Sequence, residues 1–517
     1  MNVKVLIYLT ATLLCAPGFV VAQGFIENAL LFSRTRPGGS ARIQALGGAH
    51  VALGGDFSST LSNPAGLGMY NRSEFTFSPA MNFYNTSAAH LGSSANDSKN
   101  VFTVPGLSYV FSNPKNSSGY IGGSFGISMS RINDFNRTFT YGGTDNVSSI
   151  VDWFIEDAYG FAPEQLPAPY ASTPLLNYDY ITGQGYLTYL INTFADDPNN
   201  TSPVMPDDYI EYYSELEPIP GETRTLNRIG QASVKGSQYQ WSLAYGGNYN
   251  DKLFFGANIG IATLRYAFKR KYREQNFDFS SDPSYNPLDY LELEERITVD
   301  GSGVNLTLGL IYRPVDVVQL GMSFVTPTYY QLTDSYTSVV RTLWNDSRAF
   351  IEERSEQPLV SEYSLTTPLK FSLGTAVFLG GYGFISGDVE FINYGKARYR
   401  SDISGISFTP DNEGIREFFT NTVNYRVGAE FRYEKLRFRA GYNVQSNPLT
   451  NNDNDLKIQT ISAGAGLRLK KFFTDLAWLV TKGDSFYSPY VFQDGTGPLV
   501  NLENTVKSFM VTVGFTF

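Results

Sequence analysis

Few residues in this chain could do covalent chemistry. Gly122-Gly123-Ser124-Phe125-Gly126 has the spacing of a serine nucleophile elbow, in which a strand turns sharply into a helix and presents the hydroxyl to a histidine. The residues around it alternate like the middle of a strand, and the only histidines are His50 and His90, neither of which falls in a strand-like segment. Cys15 is the single cysteine and lies in an apolar leader, so a mature chain has no thiolate or disulfide and no zinc or haem ligand set. Asp453-Asn454-Asp455 could hold calcium weakly but reads as a solvated turn. No catalytic residue, metal or cofactor is expected, and enzyme activity is not.

One set of charges stands out. Asp388, Glu390, Arg426, Glu430, Arg432, Arg437 and Arg439 share one phase of three successive strand-like segments. Opposite charges across a ladder stabilise a wall modestly. Arginines in such a position also suit an anionic head group. Both uses stay open.

The elements around these residues are strands. Phe509, Val511, Val513, Phe515 and Phe517 form an apolar face at a two-residue period, with Met510, Thr512, Gly514 and Thr516 between them. Val423, Tyr425, Val427, Ala429, Phe431 and Tyr433 alternate in the same way with Asn424, Arg426, Gly428, Glu430 and Arg432. From Leu253 the phase is set by Phe255, Ala257, Ile259 and Ile261 and reversed by Leu264, Tyr266 and Phe268, which predicts a bulge near Thr263. Short turns such as Lys470-Lys471, Gly380-Gly381 and Asn248 to Asp251 alternate with long connections, the longest being 141–225. Short turns on one side and long loops on the other are the pattern of an outer-membrane barrel. Counting strands back from Phe517 gives 14, so both ends are expected on the periplasmic side.

Composition agrees. Charged residues make up 17% and aromatics 15% of 517 residues, with a net charge of −10. Losing Lys4 with a leader makes that −11, which disfavours nucleic acid as a partner. Residues 1–22 read as a signal peptide, with Val5 to Leu14 as the apolar region and Val20-Val21-Ala22 as the cleavage site. After it there is no apolar run long enough for a membrane-spanning helix.

Within 141–225 the pattern turns helical. Ile150, Val151, Phe154, Ile155 and Ala158 recur at helical spacing. So do Tyr186, Leu187, Leu190, Ile191 and Phe194, which predicts one apolar helical face above the barrel mouth that either receives ligand or packs over the rim. Tyr209 to Leu216 is a third helical candidate.

The segment before the first strand is rich in glycine and alanine and short of charge, from Ala45-Leu46-Gly47-Gly48-Ala49 to Asn63-Pro64-Ala65-Gly66-Leu67. It resembles the N-terminal hatch of the FadL/TodX family of outer-membrane transporters for hydrophobic compounds, whose hatch motif Asn63, Pro64, Ala65, Gly66 and Leu67 match. The 141–225 loop looks like that of the Bacteroidota branch. The resemblance implies an all-β fold: a 14-stranded antiparallel transmembrane barrel (72–517) with the hatch (23–71) inside the lumen and a partly helical extracellular lid. It also implies passive uptake of long-chain fatty acids or other hydrophobic molecules across the outer membrane of a Gram-negative bacterium, with hatch movement and lateral exit through the wall. Pro105, Gly106, Gly122 and Gly123 are the residues able to interrupt that wall, and Asn63-Pro64 is expected to turn against it near Pro105 and Gly122. The expected partners are a fatty-acid-like ligand, outer-membrane lipid and the barrel-assembly machinery, for a monomer. The rival is a non-transporting scaffold similar to PorV of type IX secretion.

Overall fold

The computed structural model describes residues 24–517 except 115–118, 163–165, 167–179, 195–209, 217–224, 278–286, 356, 404–405 and 452–453. The expected signal peptide and Asp453 therefore lie outside the described residues. The described strands form a closed antiparallel barrel of 14 strands. The first half runs β1 (Glu74–His90), β2 (Ser93–Pro114), β3 (Tyr120–Asp134, resuming as Arg137–Asp145), β4 (Leu226–Tyr249), β5 (Leu253–Gln275), β6 (Leu288–Val315) and β7 (Val318–Val325, resuming as Tyr329–Trp344). The second half runs β8 (Leu359–Thr366, resuming as Lys370–Phe378), β9 (Gly383–Asn393), β10 (Asn421–Tyr433), β11 (Leu436–Gln445), β12 (Ile458–Arg468), β13 (Phe472–Tyr487) and β14 (Val500–Thr516). Closure is direct, because Phe75 of β1 lies opposite both Tyr109 of β2 and Phe515 of β14.

The two-residue period decides which side of each strand meets which solvent. On β5, Phe255, Ala257, Ile259 and Ile261 are exposed, while Phe254, Asn258, Gly260 and Ala262 are buried. Val304, Leu306, Leu308 and Leu310 continue the exposed apolar face on β6. A belt of this kind is a liability in water and matches the hydrocarbon of a bilayer.

The bulge expected near Thr263 is absent. β5 pairs without a register shift with β4 and β6 from Leu253 to Gln275. What changes is the surroundings. Beyond Thr263 the outer face rises out of the belt and carries Arg265, Lys269 and Lys271, while the inner face meets an apolar core and buries Leu264, Tyr266, Phe268 and Tyr272. His90, expected outside the strands, is the last residue of β1, and its Nδ1 lies 2.8 Å from the Leu499 carbonyl.

The N-terminal segment fills the lumen. It contains α1 (Phe25–Ser33), α2 (Ala41–Ala45), α3 (Ser59–Ser62) and a 3-10 turn, Pro64–Met69. Glycines on the inner wall let its backbone approach: a Cβ on Gly256 would lie 2.4 Å from the Pro64 carbonyl carbon, and one on Gly441 2.1 Å from the Gly47 nitrogen.

Over the long-loop end, α4 (Ile150–Ala158) buries Ile150, Val151, Phe154 and Ala158 as its spacing requires. Ser149 caps it in a reciprocal box with Asp152, and its hydroxyl also donates to Glu274 of β5 at 2.5 Å. Helix α5 (Tyr180–Leu187) is shorter than expected. Tyr189 adopts φ 61° and the Leu190 amide returns to the Gly185 carbonyl at 2.9 Å, which ends the helix. Tyr186, Leu187, Leu190, Ile191 and Phe194 consequently do not share one helical face: Leu190 and Ile191 are fully buried, whereas Leu187 and Phe194 stay well exposed. The third helical candidate is corrected too, since Tyr212–Tyr213 pairs as a strand with Asn192–Thr193. A third lid helix, α6 (Thr409–Phe418), stands beside α1.

Candidate functional site

Helix α1 is the inner wall of a cavity inside the barrel. Its buried Phe32 ring packs edge-on against Phe135 (5.8 Å) and Tyr266 (5.7 Å), and Phe25 packs against Phe408 (4.9 Å) and Tyr363 (5.2 Å). Carbonyls at the helix end are satisfied by wall amides. Asn133 donates to Leu31 at 2.8 Å and Gln238 to Phe32 at 3.0 Å. Arg34 then donates to the Leu456 and Gln445 carbonyls at 2.6 and 3.1 Å, fixing the chain as it leaves the helix.

The cavity measures about 440 Å³. Its apolar lining includes Ile26, Leu30, Leu31, Phe135, Phe418 and Leu449, and Glu27, Arg36 and Arg137 supply charge. A volume of this size with a few convergent polar groups is what a small amphiphile or hydrocarbon needs. Burial pushes the Glu27 carboxyl up to about 8, against an opposing pull from Arg137, so it is protonated at neutral pH. Its folded value lies above the ordinary 4.5, so the stability it contributes is present at low pH and lost as pH rises through about 8. Binding of an apolar fluorescent probe is therefore expected to weaken between pH 7 and 9 as a carboxylate appears in the cavity, and to stay flat in Glu27→Gln. A pH-independent wild type would remove Glu27 from the site.

The outer boundary of this cavity is a break in the barrel. The ladder between β2 and β3 runs from Pro114↔Gly122 to Gly106↔Ser130 and stops. Beyond it β2 continues to pair with β1, and β3 with β4, but no backbone pairing joins β2 to β3 among the described residues. Two irregularities flank the stop. The register of β1 with β2 shifts between Ser78 and Ala80, so that Val104 and Pro105 of β2 oppose Pro79 alone, and the register of β3 with β4 shifts between Arg131 and Asn133. Side chains bridge the break instead. Asp97 accepts from the Thr140 amide (2.6 Å) and hydroxyl (2.8 Å), Lys99 reaches Asn136 and the Val234 carbonyl at 3.1 Å each, and Tyr84 donates to Asp134, which also pairs with Arg131 at 2.8 Å. Tyr84, Asn133, Asp134 and Asn136 line the cavity, and a smaller space of about 100 Å³ reaches Pro105.

The four residues singled out for a wall opening thus separate. Pro105 and Gly106 stand where the ladder stops, and Gly106 has room only for hydrogen because the Phe57 ring lies against it. Gly122 and Gly123 lie in the paired part of β3 near its other end.

Pro64 of the hatch motif packs over Gly246 of β4 and Gly256 of β5, and Asn63 over Gly309 of β6. Gly246 is opposite Ser124 of β3, so the motif lies one strand from Gly122. Asn63 is fully buried; its Nδ2 donates to the carbonyls of Val51 (2.7 Å), Leu310 (3.2 Å) and Met322 (3.2 Å), and its Oδ1 caps the 3-10 turn at Ala65 (3.2 Å). Ala65, Gly66 and Leu67 are buried in that turn. Phe57 reaches the wall opening on the β2 side, and Arg36, whose amide donates to the Ile132 carbonyl at 2.7 Å, reaches it on the β3 side.

Two of the lumenal charges, Asp388 and Glu430, bond to the hatch. Asp388 accepts the backbone amides of His50 and Val51 at 2.6 and 2.9 Å. Glu390 pairs with Arg426 at 2.8 Å. Glu430 pairs with Arg432 and Arg439 at 2.8 Å each and with the hatch residue Arg42 at 3.6 Å. Arg437 donates to the carbonyls of Glu434 and Leu436. Asp475, which joins Arg439 at 2.7 Å and Arg468 at 2.8 Å, completes the set. Ser124 is mid-strand opposite Gly246, whereas His50 is enclosed in the hatch, neutral because burial pushes it down to about 4, with Ser62 at 2.8 Å.

No protein-family model matches the chain, and no curated protein sequence matches it significantly. Solved structures do. The fold is similar to that of a Pseudomonas aeruginosa FadL homologue, with a TM-score of 0.53 and 13% identity over 93% of this chain and 99% of that one. It is likewise similar to the toluene transporter TodX of P. putida, with a TM-score of 0.52 and 14% identity over the same shares. At these identities the likeness is one of fold.

Proposed function

We propose that this chain is a monomeric outer-membrane channel through which hydrophobic small molecules, long-chain fatty acids among them, pass without energy input. The observation that carries the proposal is the position of the 440 Å³ cavity, roofed by the lid and bordered by the unpaired edges of β2 and β3. A ligand held there is separated from the bilayer by side chains alone, so it leaves sideways when the Asp97, Lys99 and Tyr84 contacts part. The toluene transport named for the P. putida neighbour supports the same class of cargo. We place the chain in the Bacteroidota branch on the character of its lid.

The test is to hold the break shut. Asp97→Cys with Thr140→Cys, joined by a short reducible thiol cross-linker, is expected to abolish uptake of labelled oleate in cells lacking other such channels, and reduction should restore it. Full uptake through the cross-linked barrel would rule out lateral exit.

A further inference from the structure

Just above the apolar belt, the outer face of β4, β5 and β6 carries cations that the barrel does not neutralise. The belt ends at Ile261 opposite Val304, and the next rows are Thr263/Ser302, Arg265/Asp300, Ala267/Thr298 and Lys269/Arg296. Lys235 of β4 faces outward beside Ala267. Lys269 and Arg296 are directly opposite, a placement that costs stability because like charges on paired residues stand about 5 Å apart at Cβ.

Two carboxylates share the patch: Asp300, 3.6 Å from Arg265, and Glu294, 2.5 Å from Lys269. Lys235, Arg265, Lys269 and Arg296 therefore keep a surplus of two positive charges, on a chain whose net charge is −10. Arg296 and Lys235 have no side-chain hydrogen bond or ion pair among the described residues, and the Arg265 side chain is 88% exposed. Rows on one strand face repeat about every 7 Å, so these cations begin one to two rows above the last aliphatic contact.

We propose that this patch binds the phosphorylated headgroup of an outer-leaflet glycolipid whose acyl chains lie on the belt beneath it. The vertical order on the wall, aliphatic then polar then cationic, is the order of acyl chain, sugar and phosphate in such a lipid. A phosphate monoester offers the anionic oxygens that guanidinium and ammonium groups bind best. The repulsion between Lys269 and Arg296 is relieved when that anion sits between them.

Native mass spectrometry of the purified full chain, titrated with diphosphoryl lipid A, tests this. Wild type should bind it, and Lys235→Gln/Arg265→Gln/Lys269→Gln/Arg296→Gln should bind about a thousandfold more weakly, at roughly fivefold for each basic group lost from a charged membrane surface. Lys482→Gln, an exposed outward lysine on β13, should bind as wild type does. Arg296→Gln alone removes a repulsion, so it should unfold no earlier than wild type while still losing lipid, which separates binding from folding. Equal binding by the fourfold variant, equal binding of lipid A stripped of its phosphates, or complete displacement by millimolar inorganic phosphate would each overturn the proposal.

Discussion

Arg439→Met is expected to lower the unfolding free energy of the barrel by about 3 kcal/mol, the range for breaking one partner out of a buried charge network. The Arg439 side chain is completely enclosed between Glu430 and Asp475 and donates to both, at 2.8 and 2.7 Å. Methionine fills the volume but leaves two carboxylates on the same stretch of wall without the cation that lay between them. Arg432 and Arg42 still serve Glu430, and Arg468 still serves Asp475, which keeps the loss near the low end. Urea unfolding in detergent, followed by tryptophan fluorescence, reads the shift. Adding Asp475→Asn to Arg439→Met should recover part of it, because one uncompensated charge is then gone. An unchanged midpoint in the single variant would mean that these residues are solvated rather than enclosed.

The barrel was legible because two solvents impose one period. Lipid outside and polar hatch contacts inside forced the alternation in Val423 to Tyr433 and in Phe509 to Phe517. That logic also explains the misreading of β5, where the phase of Leu264, Tyr266 and Phe268 reversed without any bulge. Above the membrane the outer face meets water and the inner face meets the lid core, so hydrophobicity changes sides while the backbone does not. The lid helix was overrun for a different reason: a left-handed Tyr189 carries no sequence signal, and the apolar spacing simply continues past it. Pro105 marked the stop in the wall through its missing N–H, but a glycine pair such as Gly122-Gly123 occurs equally well in a paired strand. The cavity was not legible at all. Glu27, Arg36, Phe135 and Phe418 come from separate parts of the chain, and only α1, whose Phe25-Ile26 and Leu30-Leu31 pairs recur at helical spacing, offered a hint of its inner wall.

Asn63→Ala is expected to leave the barrel closed and set the hatch loose. Three carbonyls, of Val51, Leu310 and Met322, lose their shared amide donor, and the turn Pro64–Met69 loses its cap. The Leu310 and Met322 carbonyls belong to paired strands, so the Val51 carbonyl and the cap should dominate, at about 2–3 kcal/mol together. That is enough to raise the population of a displaced hatch by roughly 30- to 150-fold. Hydrogen exchange should show amides of residues 50–67 losing protection while those of β5 and β6 do not, and bilayer recordings should show new conductance. Asn63→Asp discriminates the cause. It keeps the acceptor that caps Ala65 but aims a carboxylate at three carbonyl oxygens. If donation from Nδ2 holds the hatch, aspartate is more disruptive than alanine. If the cap holds it, aspartate behaves as wild type, and the hatch is anchored chiefly by Asp388 and by the pairing of Arg42 with Glu430.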